Sequence, residues 1–164
     1  MIFVTIGSAF PFDRLIRAMD SWAAETGRGG EMLAQIGRGF YHPVHMDWQR
    51  ELSETAFAEA VSKARLVVSH AGMGSVITAL CSGTPIVILP RRFEAAEHTT
   101  DHQMATARWL EDRPGVFVAW DEAGLASRIG DAESWSGGGA MLEPVAPAVF
   151  TDRLQAQVRE WIAE

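Results

Sequence analysis

Seven consecutive residues place a histidine, two glycines and a serine where a strand gives way to a helix. Residues 69–75 read SHAGMGS; the apolar run Leu66–Val68 precedes them, and a helical pattern follows from Val76. The first N–H groups of a helix have no helical partner, and the helix dipole adds partial positive charge there. The turn therefore predicts an anion site, most often for phosphate, formed by His70, Gly72, Met73, Gly74 and Ser75. A turn that needs its glycines only for packing is the alternative, because short glycine motifs are weak signals.

A second turn of small residues ends the first predicted strand. Gly7 and Ser8 follow the β-rich run Ile2–Ile6 and lead into a helix. In a parallel sheet this turn opens at the same edge as SHAGMGS, and two such turns facing one crevice suit a diphosphate. The glycine spacing is not GxGxxG, and no acidic residue ends a second strand, so an NAD site is disfavoured. A P-loop sequence is also absent.

A third polar stretch follows another predicted strand and so opens on the same crevice. Residues 90–103 read PRRFEAAEHTTDHQ. Arg91 or Arg92 can face a phosphate, and Asp101 and Gln103 can hydrogen-bond sugar hydroxyls. A solvated loop that caps a helix is the alternative interpretation.

Two histidines in this stretch also have a spacing that metal sites use. His98 and His102 are four residues apart, which places them on one face of a helix, and Glu94 or Glu97 could complete a site. An HExxH motif is absent, however. We therefore predict no metal and no cofactor.

The elements that position these turns alternate between strand and helix. Apolar runs bounded by glycine or proline predict strands, and longer stretches with helical periodicity predict helices. Near-continuous apolar strands are buried on both faces, which indicates a Rossmann-like, mostly parallel sheet with helices on both faces, an α/β fold. The predicted strands cover residues 2–6, 31–36, 65–69, 86–89 and 116–119, with a short one near 44–46, and the predicted helices cover 12–22, 54–64, 73–81, 98–111, 122–129 and 151–163.

Composition narrows the class of protein. The chain has 164 residues, a length typical of one domain, and a net charge of −7, which argues against a nucleic-acid partner. No apolar run reaches the roughly 18–20 residues that a membrane span needs. The single cysteine, Cys81, cannot form an internal disulfide, and the first residues do not resemble a signal peptide. We expect a cytoplasmic protein.

The chain divides into three segments. Residues 1–130 carry the alternating pattern and all three polar turns. Residues 131–150 contain the triplet Gly137–Gly139 and two prolines, which predicts an extended connector. Residues 151–164 form an amphipathic helix that must pack on this domain or on a partner.

Three motifs, in order, resemble the C-terminal domain of family 28 glycosyltransferases. They are VTIGSAFPFDRLIRAMD at the start, SHAGMGSVITAL in the middle and PRRFEAAEHTTDHQMATA afterwards. The resemblance covers about residues 1–130. It implies one half of a GT-B fold, the half that binds a nucleotide-sugar, and is strongest to the small donor-binding subunits of two-part transferases.

The resemblance also implies roles for particular residues. Diphosphate contacts fall on His70, Gly72, Gly74 and Ser75, and the first-strand loop that lies against the phosphates falls on Gly7 and Ser8. Contacts to the donor sugar fall on Asp101, His102 and Gln103, with Glu97 and His98 adjacent. The chain departs from the family at Thr78, where many GT-B enzymes have a glutamate that holds the ribose.

The resemblance implies a subunit that transfers sugar from a UDP-sugar to a lipid-linked acceptor. A separate membrane-associated protein would bind the acceptor and hold this chain at the inner face of the membrane, in polysaccharide or glycolipid synthesis such as exopolysaccharide biosynthesis. The sequence does not identify the catalytic base. Two alternatives are a nucleotide-sugar-binding module without activity, which the Thr78 departure favours, and a freestanding hydrolase. Because a lone half exposes its missing interface, the isolated chain is expected to self-associate.

Overall fold

Within the described residues, six short strands form one parallel sheet, and all of them except β3 are mainly apolar. They are β1 (Ile2–Thr5), β2 (Met32–Gln35), β3 (Asp47–Gln49), β4 (Leu66–His70), β5 (Ile86–Leu89) and β6 (Val116–Val118). Their order across the sheet is β3-β2-β1-β4-β5-β6, and every neighbouring pair is parallel. The computed structural model describes residues 1–137 and 139–163; Gly138, in the middle of the glycine triplet, and Glu164 lie outside them.

Helices cover both faces of the sheet, which confirms the predicted α/β, Rossmann-like fold. Within the described residues they are α1 (Asp13–Thr26), α2 (Glu54–Lys63), α3 (Met73–Cys81), α4 (His102–Leu110), α5 (Leu125–Ser134) and α6 (Ala148–Ala163). The apolar sides of α1 and α5 pack on one face, and those of α2, α3 and α4 pack on the other. In the described ranges, no helix combines the length and apolarity that crossing a bilayer demands.

The third strand lies later than predicted. Residues 44–46 were expected to pair in the sheet, but the amides of Val44 and His45 donate to the Asp20 carboxylate on α1, at 3.0 and 2.7 Å. Those amides are therefore committed to a side chain, and sheet pairing begins at Asp47.

Helix α4 starts four residues later than predicted, at His102 rather than His98. Side chains in the intervening turn bind nearby backbone groups and compete with helix formation. The Nδ1 atom of His98 accepts from the Thr99 amide at 2.9 Å. The Oδ1 atom of Asp101 accepts from the Phe93 amide at 2.8 Å.

The predicted connector, residues 131–150, is partly helical. Helix α5 starts at Leu125 rather than at residue 122, after Asp121 accepts a hydrogen bond from the Gly124 amide, and it continues through Ser134. Helix α6 begins at Ala148, three residues earlier than predicted, because Pro147 directly before it suits a helix start. No residue described in α6 is buried, and apart from the half-buried Thr151 its described residues are exposed.

Candidate functional site

The order in which the chain adds strands to the sheet reverses between β1 and β4, and this defines where a ligand can enter. The chain moves from β1 to β2 on one side, but from β4 to β5 on the other. Loops that follow β1 and β4 therefore diverge and leave a crevice at the carboxyl ends of these strands. Both predicted turns, Gly7–Ser8 and Ala71–Ser75, lie at this switch point.

His70, at the end of β4, is packed between two glycines. A Cβ on Gly72 would lie 2.1 Å from Nε2 of His70, and a Cβ on Gly7 would lie 2.8 Å from its Cε1. Burial, followed by the charge of Arg91, lowers the pKa of His70 to about 3. The ring is therefore neutral at physiological pH and offers hydrogen bonds rather than charge. Gly7 and Gly72 have the packing role that the alternative interpretation assigned to the whole turn.

Gly74 is different, because no packing requires it. A Cβ on Gly74 would meet no heavy atom within 4 Å. The first helical hydrogen bond of α3 runs from the Val76 amide to the Gly72 carbonyl at 3.2 Å, and no side chain caps this helix end. The amides of Met73, Gly74 and Ser75 thus have no helical acceptor and lie where an anion can reach them.

A hollow of about 330 Å³ opens beside this helix end. The loop after β1 and the first residues of α2 and α3 form its walls. Four predicted site residues lie here, and Glu54 is the one ionisable side chain of the described lining. The hydroxyl of Thr78 donates to the Gly74 carbonyl at 2.9 Å. The lining residues are Gly7, Ser8, Gln35, Leu52, Glu54, Phe57, Gly74, Ser75 and Thr78.

Sequence reasoning missed Leu52, Glu54 and Phe57. They follow β3, so they lie at the carboxyl edge of the sheet, like the turns after β1 and β4. The weak sequence pattern of β3 concealed this, since only three exposed residues form that strand.

Arg91 is a buried cation next to the crevice. It is 2% exposed, and one Nη donates to the carbonyls of Ile6 and Phe10, both at 2.7 Å. Its Nε has no hydrogen-bond partner, and it forms no ion pair with any described residue. Burial lowers the pKa of Arg91 to about 10, so it stays protonated. Arg91 holds the loop after β1 in place. Its charge also makes the electrostatic potential of the crevice more positive, which would attract an anionic ligand without direct contact.

The carboxylate of Glu97 forms an ion pair with Arg14. Both of its carboxylate oxygens accept from Arg14 on α1, at 2.6 and 2.8 Å, and one also accepts from the Arg92 amide at 2.9 Å. The side chains are 11% and 16% exposed. The pair fastens the loop after β5 to α1, so in this arrangement Glu97 positions the loop rather than reaching toward a ligand.

The two histidines of the 90–103 stretch lie together at the loop surface. The rings of His98 and His102 are 4.3 Å apart, edge to face, and the His98 ring also packs against Phe10 at 4.7 Å. Partial burial, followed by the proximity of His102, lowers the pKa of His98. Within the described residues, no cluster of three or more histidine, cysteine, aspartate or glutamate side chains is arranged to hold a metal ion.

Gln103 and Asp101 face opposite sides of this loop. Gln103 is buried, and its Oε1 accepts from the Arg91 amide at 3.1 Å, close to the crevice. Asp101 is exposed and lines a second hollow toward β6. The structure therefore brings Gly7, Ser8, His70 and Gly72–Ser75 together, with Arg91, His98 and Gln103 beside them, and leaves Asp101 and Glu97 turned elsewhere.

The fold is shared with glycosyltransferases of the GT-B class. Spinosyn forosaminyltransferase SpnP is 20% identical with a TM-score of 0.62, over 96% of this chain and 43% of that one. The solution structure of ALG13 is 17% identical with a TM-score of 0.59, over 93% of each chain. The parallel sheet, with its strand order and the helices on both faces, thus defines an α/β domain of GT-B type.

Sequence comparison assigns the family. Residues 1–113 match the glycosyltransferase family 28 C-terminal domain, and the chain belongs to this family. It is 31% identical over 134 residues to the UDP-N-acetylglucosamine transferase subunit ALG13 of Yarrowia lipolytica, covering 74% of this chain and 65% of that protein. It is 30% identical over 125 residues to the subunit of the same name from Homo sapiens, covering 71% of this chain and 11% of that protein.

Proposed function

We propose that this chain is the donor-binding subunit of a two-part glycosyltransferase that uses a UDP-sugar. The observation that carries the proposal is Gly74: unlike Gly72, it has no packing reason to be glycine, yet it lies at an uncapped helix N-terminus beside a hollow. A diphosphate at this point would accept hydrogen bonds from the free amides of α3. Family membership and the ALG13 relatives favour UDP and make UDP-N-acetylglucosamine the first donor to test.

The hollow next to this turn suits the nucleoside end of the donor. Leu52 and Phe57 supply apolar surface for a base, and Glu54 supplies a carboxylate for ribose hydroxyls. The sugar end then extends toward His98 and Gln103, on the other side of the phosphate turn.

The residues here support departure of a nucleoside diphosphate. In the proposed reaction the bond between the anomeric carbon and the β-phosphate oxygen breaks, and UDP leaves with the electron pair. The acceptor hydroxyl bonds to the anomeric carbon and loses its proton to a base that we place in the partner. Free helix amides and the buried charge of Arg91 stabilise the charge that develops on the phosphate. Because His70 is neutral, it contributes hydrogen bonds to the ligand but no charge.

Helix α6 is the proposed contact to the acceptor-binding partner. Its apolar side chains face solvent, and Trp161 is 65% exposed. We propose that the partner is membrane-associated, presents a lipid-linked acceptor and holds this chain at the cytoplasmic face. The exposed side chains are Val149, Phe150, Leu154, Val158, Trp161 and Ile162.

A calorimetric titration with UDP, GDP, ADP and NAD tests the donor site. UDP should bind the wild-type chain, and Gly74→Ala should weaken binding about tenfold because the new methyl group occupies the approach to the helix amides. Gly130→Ala is the matched control: Gly130 also lies in a helix with no atom near a Cβ, but far along the chain on α5. Both variants should retain full stability, since alanine replaces glycine in an open helical position. If the Gly74 variant binds UDP as tightly as the control, the diphosphate does not lie at this turn.

A binding module without transferase activity is the second candidate. Helix α3 offers no carboxylate for ribose, because Thr78 replaces it and its hydroxyl is hydrogen-bonded to the helix. Such a module would bind UDP but transfer no sugar when combined with its partner and acceptor. Transfer by the combined proteins would exclude it.

A further inference from the structure

The larger of the two hollows lies outside the donor crevice. It has a volume of about 490 Å³ and is enclosed by the loop after β5, the first turns of α4 and the loop after β6. This volume is in the range of small-molecule sites, about 300–1,000 Å³. The lining residues are Arg92, Glu94, Asp101, Met104, Ala105, Arg108, Trp120 and Asp121.

Two consecutive arginines separate this hollow from the crevice. Arg91 points to the loop after β1, where it binds the carbonyls of Ile6 and Phe10. Arg92 points the other way, and its Nη2 donates to the Trp120 carbonyl at 2.7 Å. The two hollows share no lining residue.

Charged side chains of both signs converge here without pairing. Two arginines and three carboxylates line the hollow, yet none of them takes part in an ion pair within the described ranges. In Asp101 and in Asp121, one carboxylate oxygen accepts a hydrogen bond from a backbone amide, which fixes the side chain. The second oxygen of each has no described hydrogen bond. Glu94 and Arg108 are exposed and make no described hydrogen bond.

A tryptophan held from two sides forms one wall. The indole Nε1 of Trp120 donates to Glu111 at 3.1 Å, and its carbonyl accepts from Arg92. Met104 and Ala105 add apolar surface from α4. The hollow thus combines a hydrogen-bonded tryptophan with two carboxylates that backbone amides hold in place, Asp101 and Asp121.

We propose that this hollow binds a sugar ring of the acceptor glycan, apart from the donor. Three carboxylates against two arginines leave the hollow with a small net negative charge, which disfavours a strongly anionic ligand, whereas vicinal hydroxyls can bond to carboxylates and guanidinium groups together. The aromatic face suits the apolar face of a pyranose. That the sugar belongs to the acceptor rests on the proposed function; that the hollow binds a saccharide does not.

Nuclear magnetic resonance on the full chain tests the site. The probes are cellobiose, N-acetylglucosamine and glucuronate, and the signal is the indole N–H of Trp120, assigned with Trp120→Phe. We expect this signal to move at millimolar saccharide, equally with and without saturating UDP. Arg108→Ala should weaken binding about tenfold, the loss expected for a charged hydrogen bond. Arg128→Ala, an exposed arginine on α5 outside the hollow, should not.

Other outcomes overturn the proposal. No shift with any saccharide, or a stronger shift with inorganic phosphate, would show that the hollow is not a saccharide site. Displacement of the saccharide by UDP-N-acetylglucosamine but not by UDP would show that it holds the donor sugar instead. UDP binding is followed separately by the amide signals of Gly74 and Ser75. A failure of the proposed donor site can therefore be told apart from a failure of the proposed saccharide site.

Discussion

Replacing Gly72 with alanine should destabilise the protein only while His70 is present. The backbone at Gly72 has φ −89° and ψ 127°, which alanine adopts freely, so any cost is steric. The new Cβ would lie 2.1 Å from Nε2, and restoring an ordinary contact of about 3.4 Å moves the ring by about 1.3 Å. The ring is already in contact with Gly7. Overpacking of this kind costs about 1–3 kcal/mol.

The assay is a double-mutant cycle in urea at pH 7. The free energy of unfolding is measured for the wild type, Gly72→Ala, His70→Ala and the double variant. In the His70→Ala background the Gly72 substitution should cost less than about 0.5 kcal/mol, so the coupling equals most of the single-variant loss. An equal cost in both backgrounds would refute the reasoning, because the glycine would then be needed for something other than the histidine ring.

Three further predictions concern charge. If Glu54 holds the ribose, Glu54→Gln should weaken UDP about tenfold but leave 2′,3′-dideoxy-UDP unchanged in calorimetry, whereas Glu51→Gln, outside the hollow, should change neither. Because the pKa of His70 is about 3 in the native protein and near 6.5 when unfolded, stability is fully present above pH 6.5 and falls as the pH drops toward 3, by up to about 1.4 kcal/mol per pH unit. Urea titrations at several pH values give the free energy of unfolding as a function of pH. Between pH 6.5 and 3 its slope should be smaller for His70→Asn than for the wild type, by the equivalent of one proton. Equal slopes for the two proteins would contradict the burial of a neutral His70. Glu97→Gln should cost about 2 kcal/mol of stability by breaking the pair with Arg14, and a variant that unfolds like the wild type yet loses donor binding would instead place Glu97 on the ligand.

Periodicity and turn residues predicted most of the fold. Helix α3 and strand β5 were predicted at their observed bounds, because a run such as Ile86–Leu89 is apolar throughout and is enclosed by prolines. Several errors lie where a side chain binds a backbone amide, either nearby in the sequence, as His98 and Asp121 do, or far along it. Asp20 removes Val44 and His45 from the sheet over more than twenty residues, and no local pattern indicates this.

The candidate site was predictable only in part. The carboxyl-edge argument located Gly7, Ser8 and the SHAGMGS turn, because it needs only strand order. Which glycine is required for packing and which is not depends on where the His70 ring lies, and that is a tertiary property. The side chains of Arg91 and Arg92 point to different loops, one to Ile6 and the other to Trp120. The sequence does not distinguish them, because two adjacent arginines have the same local sequence pattern.

The position of β1 at the centre of the sheet also has a kinetic consequence. Its register joins Ile2 to Met32 on one side and to Leu66 on the other. During synthesis, at about 5–20 residues per second, the second pairing must wait for several seconds while one edge of β1 is unpaired. Non-local parallel pairs of this kind form slowly. The crevice between β1 and β4 therefore forms only when the second half of the sheet joins the first, and a nucleotide bound there would selectively stabilise the joined sheet.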